Sequence, residues 1–157
     1  MLGVATVLTL AGYSIVVSQP LAYLLFLSRA QQALSAPAFI ELRQRINPVM
    51  NRRLPAIYLS TLAAAIWLLT LSWGSGHRSL AAAASVAILC LVLDLVLTVR
   101  GNLPINQAMD RWSTSDFPAD WQAQRTRWFA AFRRRQVVLI LGYLTLLVGV
   151  TGLVSAS

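Results

Sequence analysis

Four polar residues that could do chemistry lie where an apolar segment ends. Asp94 lies inside the run from Leu80 to Val99, and Arg100, Asn102 and Asn106 follow it. A carboxylate inside a membrane span costs roughly 2.5–3.5 kcal/mol, so it normally faces the interior of a bundle and has a partner there. We predict a catalytic set in which Asp94 transfers a proton and the three donors after it stabilise an anion.

The carboxylate of Asp94 needs a partner from another span. Candidate partners are Gln19, Tyr58 and the arginines before the last span, such as Arg133 or Arg134. The alternative is that Asp94 is neutral, or forms one interhelical hydrogen bond, and has no part in chemistry.

Two loops share a sequence pattern. Arg45-Ile-Asn47-Pro-Val-Met-Asn51 and Arg100-Gly-Asn102-Leu-Pro-Ile-Asn106 both read Arg-x-Asn-x-x-x-Asn with a proline between the asparagines. We expect either a repeat that brings the asparagines to one opening of the bundle, or a chance similarity of two membrane-exit loops. The residues predicted to contact a substrate are Gln19, Asn47, Asn51, Trp128 and Arg134.

The elements that must position these residues are membrane helices. The 157 residues are 57% hydrophobic and 11% charged, which is typical of an integral membrane protein. Four apolar runs are long enough to span a bilayer: residues 3–27, 54–73, 80–99 and 137–154. We predict an all-α, polytopic fold, a single four-helix transmembrane bundle over residues 1–157 with two structured cytoplasmic loops.

The arginines predict the orientation of the spans. The first long loop (Arg29 to Arg53) holds five arginines, the second (Arg100 to Arg135) holds seven, and the turn at residues 74–79 holds one. By the positive-inside bias, both long loops are cytoplasmic and both termini lie outside, in a cell inner membrane. The net charge of +8 therefore indicates membrane topology, and no nucleic-acid partner is expected.

Both long loops contain predicted helices. Residues 38–46 have apolar side chains at helical spacing, which predicts an amphipathic helix ending at Asn47-Pro48. In the second loop we expect the chain to turn at Gly101 and Pro104 before another helix begins. The single cysteine, Cys90, and the single histidine have no partners of metal-ligand type, so no metal and no cofactor is predicted.

Three motifs resemble those of the anthrone oxygenase-like membrane proteins. They are Asn102-Leu-Pro-Ile-Asn106 after the third span, Arg45-x-Asn47 with Asn51, and the aromatic–basic segment Trp128 to Arg135 before the fourth. The resemblance covers nearly the whole chain in layout, and much of that family was catalogued as a domain of unknown function. It implies a small four-helix membrane protein. Some fungal members add oxygen to anthrones to give anthraquinones, without an established metal or flavin.

This sequence departs from the family pattern at one point. A His or Asn often stands between the tryptophan and the last arginine of the final motif, and this chain has Phe132 in that neighbourhood.

Two hypotheses about function follow. The first is a cofactor-independent oxygenase or related oxidoreductase, acting on a flat, hydrophobic, anthrone- or polyketide-like molecule that enters from the cytoplasmic leaflet. The second is a non-catalytic membrane protein that binds a ligand or a partner subunit and whose polar loops are structural. The lipid bilayer and a hydrophobic aromatic molecule are the expected partners, and the sequence does not predict an oligomeric state.

Overall fold

Four long helices contain the four predicted spans in the computed structural model, which describes the backbone of residues 1–155 and the side chains of residues 1–152. The first and third long helices each contain a π-helical turn, whereas the second and fourth are continuous. The elements are α1 (Leu2–Ala22), the first π turn (Tyr23–Leu27), α2 (Ser28–Gln32), α3 (Ala36–Gly74), α4 (Arg78–Leu97), the second π turn (Thr98–Asn102), α5 (Leu103–Met109) and α6 (Trp121–Ser155). The all-α, four-helix fold is confirmed, with no strand in the described backbone.

The outer surface of the bundle is apolar. Each long helix is long and apolar enough to cross a membrane. Large aliphatic side chains such as Leu25, Leu59, Leu89 and Val148 are exposed on the outside of the helices. Water would make such a surface costly, whereas lipid chains cover it without penalty. The chain is therefore an integral membrane protein.

The long helices form a closed ring of four neighbours. α1 packs against α3 and α6, and α4 packs against the same two helices. Buried side chains including Tyr13, Leu68, Leu91, Leu139 and Leu146 fill the centre. Every long helix therefore contributes one face to a shared interior, and a polar group on that face must find its partner inside the bundle.

Small residues allow α4 and α6 to approach closely. Ala81, Ala84 and Ala87 are completely or almost completely buried on α4. A side chain at Gly149 of α6 would collide with Ala83 of α4. Association of helices in lipid depends on such van der Waals packing, because there is no hydrophobic driving force between apolar helices there.

The first long loop is mostly helix, which corrects the predicted break at Asn47-Pro48. Only residues 33–35 interrupt the helical backbone, and α3 then continues through Pro48 and Pro55 into the membrane span. A proline inside a helix removes one backbone hydrogen bond. Here Phe39 and Asn47 are buried against the rest of the bundle, and this tertiary packing holds the helix across Pro48.

The predicted turn at Gly101 and Pro104 is also absent. The third long helix runs through both residues to Met109, and the chain leaves helical geometry only in residues 110–120. Gly101 has a packing role instead, because a Cβ there would lie 2.9 Å from the Cβ of Ala131 on α6. The glycine lets the second π turn lie directly against α6.

The two halves of the chain have the same order of helices, but their asparagine motifs lie at different positions in that order. Each half consists of a helix with a π turn near its end, followed by a long continuous helix. The Arg45–Asn51 motif lies in a continuous helix, α3, whereas the Arg100–Asn106 motif spans the second π turn and α5. The structural counterpart of the second π turn is Tyr23–Leu27, so the shared motif does not mark equivalent positions.

Candidate functional site

Asp94 is the centre of a buried ion pair. Its side chain has no exposed surface, and the Nε of Arg135 donates to its Oδ1 over 2.8 Å. Arg135 Nη2 and the hydroxyl of Tyr58 donate to Oδ2, over 3.3 and 2.5 Å. We call Tyr58, Asp94 and Arg135 the Asp94 triad; it joins α3, α4 and α6.

The sequence identified part of this triad. Tyr58 was among the expected partners of Asp94, and it does contact the carboxylate. Arg133 and Arg134 are exposed, and the neighbouring Arg135 makes the ion pair. Three consecutive arginines precede the span, and only the third lies on the face of α6 that points into the bundle.

The second π turn aligns Asp94 with Asn102. In a regular α-helix, residues eight apart lie about 80° apart around the axis, whereas one extra residue held in a π turn reduces this to about 20°. Arg135 accordingly reaches both, since its Nη1 donates to Oδ1 of Asn102 over 3.4 Å. The Nδ2 of Asn102 donates to the backbone oxygen of Trp128 over 2.9 Å, so this amide is satisfied on both sides.

A second polar cluster surrounds Arg43, whose side chain is almost fully buried. Its Nη2 donates to Oδ1 of Asn47 over 2.7 Å and to Oδ1 of Asn106 over 3.1 Å. The guanidinium carbon lies 4.4 Å from the centre of the Trp128 ring, and the Nε1 of Trp128 donates to Asn106 over 2.7 Å. We call Arg43, Asn47, Asn106 and Trp128 the Arg43 cluster.

The charge of Arg43 is balanced by neutral dipoles and an aromatic face. Asn47 links Arg43 to an acidic residue, because its Nδ2 donates to Oδ1 of Asp110 over 2.7 Å. The ring of Phe132 stacks on Trp128 at 5.2 Å between centroids. Asn106, Trp128 and Asn102 thereby connect the Arg43 cluster to the Asp94 triad through one chain of hydrogen bonds.

A cleft opens beside the Asp94 triad, between α3 and the third long helix. It has a volume of about 340 Å³. We call it the α3–α4 cleft, and its lining residues are Met50, Asn51, Leu54, Pro55, Tyr58, Leu59, Leu95, Thr98, Leu103 and Arg135. Aliphatic side chains form most of the wall. Tyr58 and Arg135 therefore line a mostly apolar space, and Asp94 lies behind them.

The structure brings most of the predicted site residues to one end of the bundle. We call it the arginine-rich end, because residues 29–53 and 100–135 lie there. Asp94 and Asn102 share Arg135, and Asn47 and Asn106 share Arg43. Asn51 is exposed and lines the α3–α4 cleft.

Three predicted residues lie apart from these clusters. Arg100 is exposed and lines a shallow groove with Val96 and Val99 on the outer surface. Arg134 is exposed on α6. Gln19 is half-buried and lines a different cleft, between the first long helix and α3.

Sequence reasoning missed Arg43 and Arg135. Arg43 stands between Glu41 and Arg45 in the predicted amphipathic helix, yet those two neighbours form an exposed i,i+4 ion pair while Arg43 is buried. A signal was present, because Phe39, Arg43 and Asn47 follow one another at intervals of four. Residues at that spacing share one side of a helix, and Phe39 marks this side as the buried one.

The arrangement can bind an acidic hydroxyl group and accept its proton. Arg135 has five N–H groups, of which three make the contacts above, and its side chain lines the α3–α4 cleft beside Tyr58. Tyr58 can pass a proton to the carboxylate it already contacts. Among residues 1–152, no three His, Cys, Asp or Glu side chains are grouped so that they could hold a metal ion.

Comparison of the chain with protein-family models, with curated proteins and with solved structures found no match. The resemblance to the anthrone oxygenase-like proteins therefore stays a prediction, and the class of protein defined here is a four-helix integral membrane protein with a buried ion pair beside a cleft.

Proposed function

We propose that this protein is a membrane-embedded, cofactor-independent oxygenase for a flat, hydrophobic molecule of the anthrone or polyketide type. One observation carries the proposal: the apolar α3–α4 cleft has Tyr58 and Arg135 in its wall and a buried carboxylate behind them. Small-molecule sites are mostly apolar, with a few convergent polar groups that orient the ligand. A planar aromatic ligand with one acidic hydroxyl matches this distribution.

The first chemical step is removal of a proton from the ligand. In its enol form an anthrone is a phenol, and its hydroxyl is placed against the oxygen of Tyr58. Tyr58 accepts this proton as its own moves to Asp94, 2.5 Å away. The ligand anion then lies beside Arg135, whose remaining N–H groups stabilise the negative charge in a site with little water.

The second step uses molecular oxygen as the oxidant. The delocalised carbanion–phenolate gives electrons to O2, a carbon–oxygen bond forms, and the peroxide takes up a proton. Loss of the second hydrogen on that carbon, with cleavage of the O–O bond, releases water and leaves a carbonyl. The balance is CH2 + O2 → C=O + H2O, so no further reductant is required.

The proposal includes an orientation in the membrane. The arginine-rich end faces the cytoplasm of the cell inner membrane, and both termini lie outside. The distribution of arginines supports this orientation through the positive-inside bias. The α3–α4 cleft then lies in the cytoplasmic half of the bilayer, where a hydrophobic product of cytoplasmic enzymes would partition.

A second candidate function is non-catalytic binding of a ligand or a partner subunit. The pairing of Asp94 favours it, because both carboxylate oxygens already accept hydrogen bonds and the side chain has no surface of its own. On this reading the triad closes the bundle and the cleft binds an aromatic molecule without changing it.

The test uses the purified protein in lipid nanodiscs with anthrone as the substrate. Oxygen consumption and anthraquinone formation are measured against empty nanodiscs, since anthrone also oxidises spontaneously. The proposal expects the wild type to exceed this background and Tyr58→Phe to lose the excess while it stays folded, with a melting temperature lowered only by the loss of one buried hydrogen bond to Asp94. Tyr143→Phe is the matched control, because its hydroxyl contacts Ser14 far from the cleft.

The outcomes separate the two functions. Saturable binding of anthrone without oxidation above background would support the non-catalytic binding function and contradict the oxygenase function. No binding at all, or equal rates in the wild type and Tyr58→Phe, would overturn the assignment of the α3–α4 cleft.

A further inference from the structure

A second cleft opens on the other side of α3, against the first long helix. Its volume is about 460 Å³. We call it the α1–α3 cleft, and its lining residues are Gln19, Tyr23, Leu27, Ala30, Gln31, Leu34, Leu42, Ile46 and Met50. None of these carries a charge, which distinguishes this cleft from the one that Arg135 lines. Met50 belongs to both walls.

Gln31 lines this cleft and carries an unsatisfied polar atom just beneath its surface. Its side chain is 7% exposed, and its Oε1 has no hydrogen-bond partner. Its Nε2 donates to the hydroxyl of Tyr23 over 2.8 Å, and Tyr23 is 3% exposed. Buried polar groups in native proteins are nearly always paired, so an unpaired one on the wall of a cavity indicates a partner that occupies the cavity.

The first π turn places these two side chains together. Tyr23 and Gln31 are eight residues apart, like Asp94 and Asn102, and a π turn again falls within the interval, here beginning at Tyr23 where the second π turn ends at Asn102. The extra residue of the turn rotates Gln31 onto the face that carries Tyr23. Single π turns within α-helices are frequent at functional sites.

The pair offers one donor and one acceptor in either orientation of the amide. With Nε2 bound to Tyr23, the phenolic hydrogen and Gln31 Oε1 remain available. If the amide is reversed, Tyr23 donates to Oε1, and its oxygen lone pair and the Nε2 hydrogens remain. A ligand hydroxyl, which donates and accepts at once, satisfies the pair in both cases.

We propose that the α1–α3 cleft binds a neutral, apolar molecule through a hydroxyl group held by Tyr23 and Gln31. The lining residues carry no charge, which favours a neutral ligand, and the aliphatic side chains Leu27, Leu42 and Ile46 receive the apolar body. This site is separate from the α3–α4 cleft and does not depend on the function proposed for it.

The experiment uses hexadecanol carrying a photoreactive diazirine on its chain, with the purified protein in nanodiscs. The matched probe is its methyl ether, which accepts a hydrogen bond but cannot donate one. Labelled peptides of the first long helix and α3 are quantified by mass spectrometry. We expect the alcohol to label these peptides about threefold to tenfold more than the ether, as loss of one hydrogen bond implies.

Variants show whether the labelling depends on the polar pair. Gln31→Leu and Tyr23→Phe should each reduce alcohol labelling to the level of the ether, and Tyr23→Phe retains the ring that packs on Phe132 at 4.7 Å. Gln32→Leu changes the exposed neighbour and should have no effect. Tyr58→Phe should also have none, which separates this site from the α3–α4 cleft.

Competition distinguishes the source of the ligand. Displacement of the probe by dioleoylglycerol identifies a membrane lipid, and displacement by 2-naphthol identifies a free aromatic alcohol; either supports the site. Equal labelling by alcohol and ether would overturn the proposal, and so would wild-type labelling in both Gln31→Leu and Tyr23→Phe.

Discussion

Arg135 and Asp94 form an ion pair of 2.8 Å in which the carboxylate is fully buried and the arginine side chain is 10% exposed. The other ion pair among the described side chains, Arg45 with Glu41, has the same length but lies at the surface. The two ion pairs thus have the same N–O distance, although one is buried and the other is exposed. Buried pairs are costly to break, since a single replacement leaves an unpaired charge, whereas exposed pairs contribute little.

We expect Asp94→Asn and Arg135→Gln each to destabilise the protein by about 3 kcal/mol, because each leaves a buried charge or donor set without its partner. The double variant should cost much less than the two single variants together. Thermal unfolding in detergent, followed by far-ultraviolet circular dichroism, measures the four free energies of the cycle. Glu41→Gln is the control and should cost about 0.5 kcal/mol or less. Additive effects of the two single changes would contradict the ion pair.

Leu59→Trp should close the α3–α4 cleft. Leu59 lines the cleft but is largely exposed, so the larger ring fills the cavity and does not strain the core. We expect at least tenfold weaker anthrone binding, measured by fluorescence titration, at unchanged melting temperature. Leu89→Trp is the control, because Leu89 is equally exposed on α4 and lines no described cleft. Equal affinity in the two variants would show that the ligand binds elsewhere.

Gly101→Ala should destabilise the bundle by about 1–2 kcal/mol, because its methyl group would collide with Ala131. Ala131→Gly removes the opposing methyl group and should recover most of the loss in the double variant. Gly74→Ala is the control, since no atom lies within 4 Å of a Cβ at that helical position. If Gly101→Ala and Gly74→Ala have the same melting temperature, the close approach of the second π turn to α6 is wrong.

Accessible cysteines test the proposed orientation. Cys90 is the single cysteine, so Cys90→Ala gives a background for Ser75→Cys in the short turn and Ser115→Cys in the second long connection. A membrane-impermeant maleimide should label Ser75→Cys in intact cells and Ser115→Cys only after permeabilisation. The reversed pattern would place the arginine-rich end outside and would remove the proposed access from the cytoplasmic leaflet.

The amino-acid sequence alone determined the fold class and the location of the polar end. Three local features of the sequence carried these predictions. They are the apolar runs of span length, the separation of charged residues from those runs, and the asparagines around Pro48 and Pro104. Asp94 was identifiable for the same reason: an acid within an apolar helix requires an internal partner. Tyr58 was one of the candidate partners named from the sequence, and it is the one among the named residues that contacts Asp94.

Tertiary structure decided which arginine meets Asp94 and where the helices end. Arg133, Arg134 and Arg135 are identical in local sequence terms, and only the rotation of α6 against α4 selects Arg135. The π turns likewise require a whole-bundle fit, because one extra residue per turn changes the face of every later side chain. That rotation brings Asn102 and Asp94 to the same arginine, Arg135, and brings Gln31 to Tyr23. No local pattern in the sequence encodes it, since it is the packing of the neighbouring helices that makes a wider turn favourable.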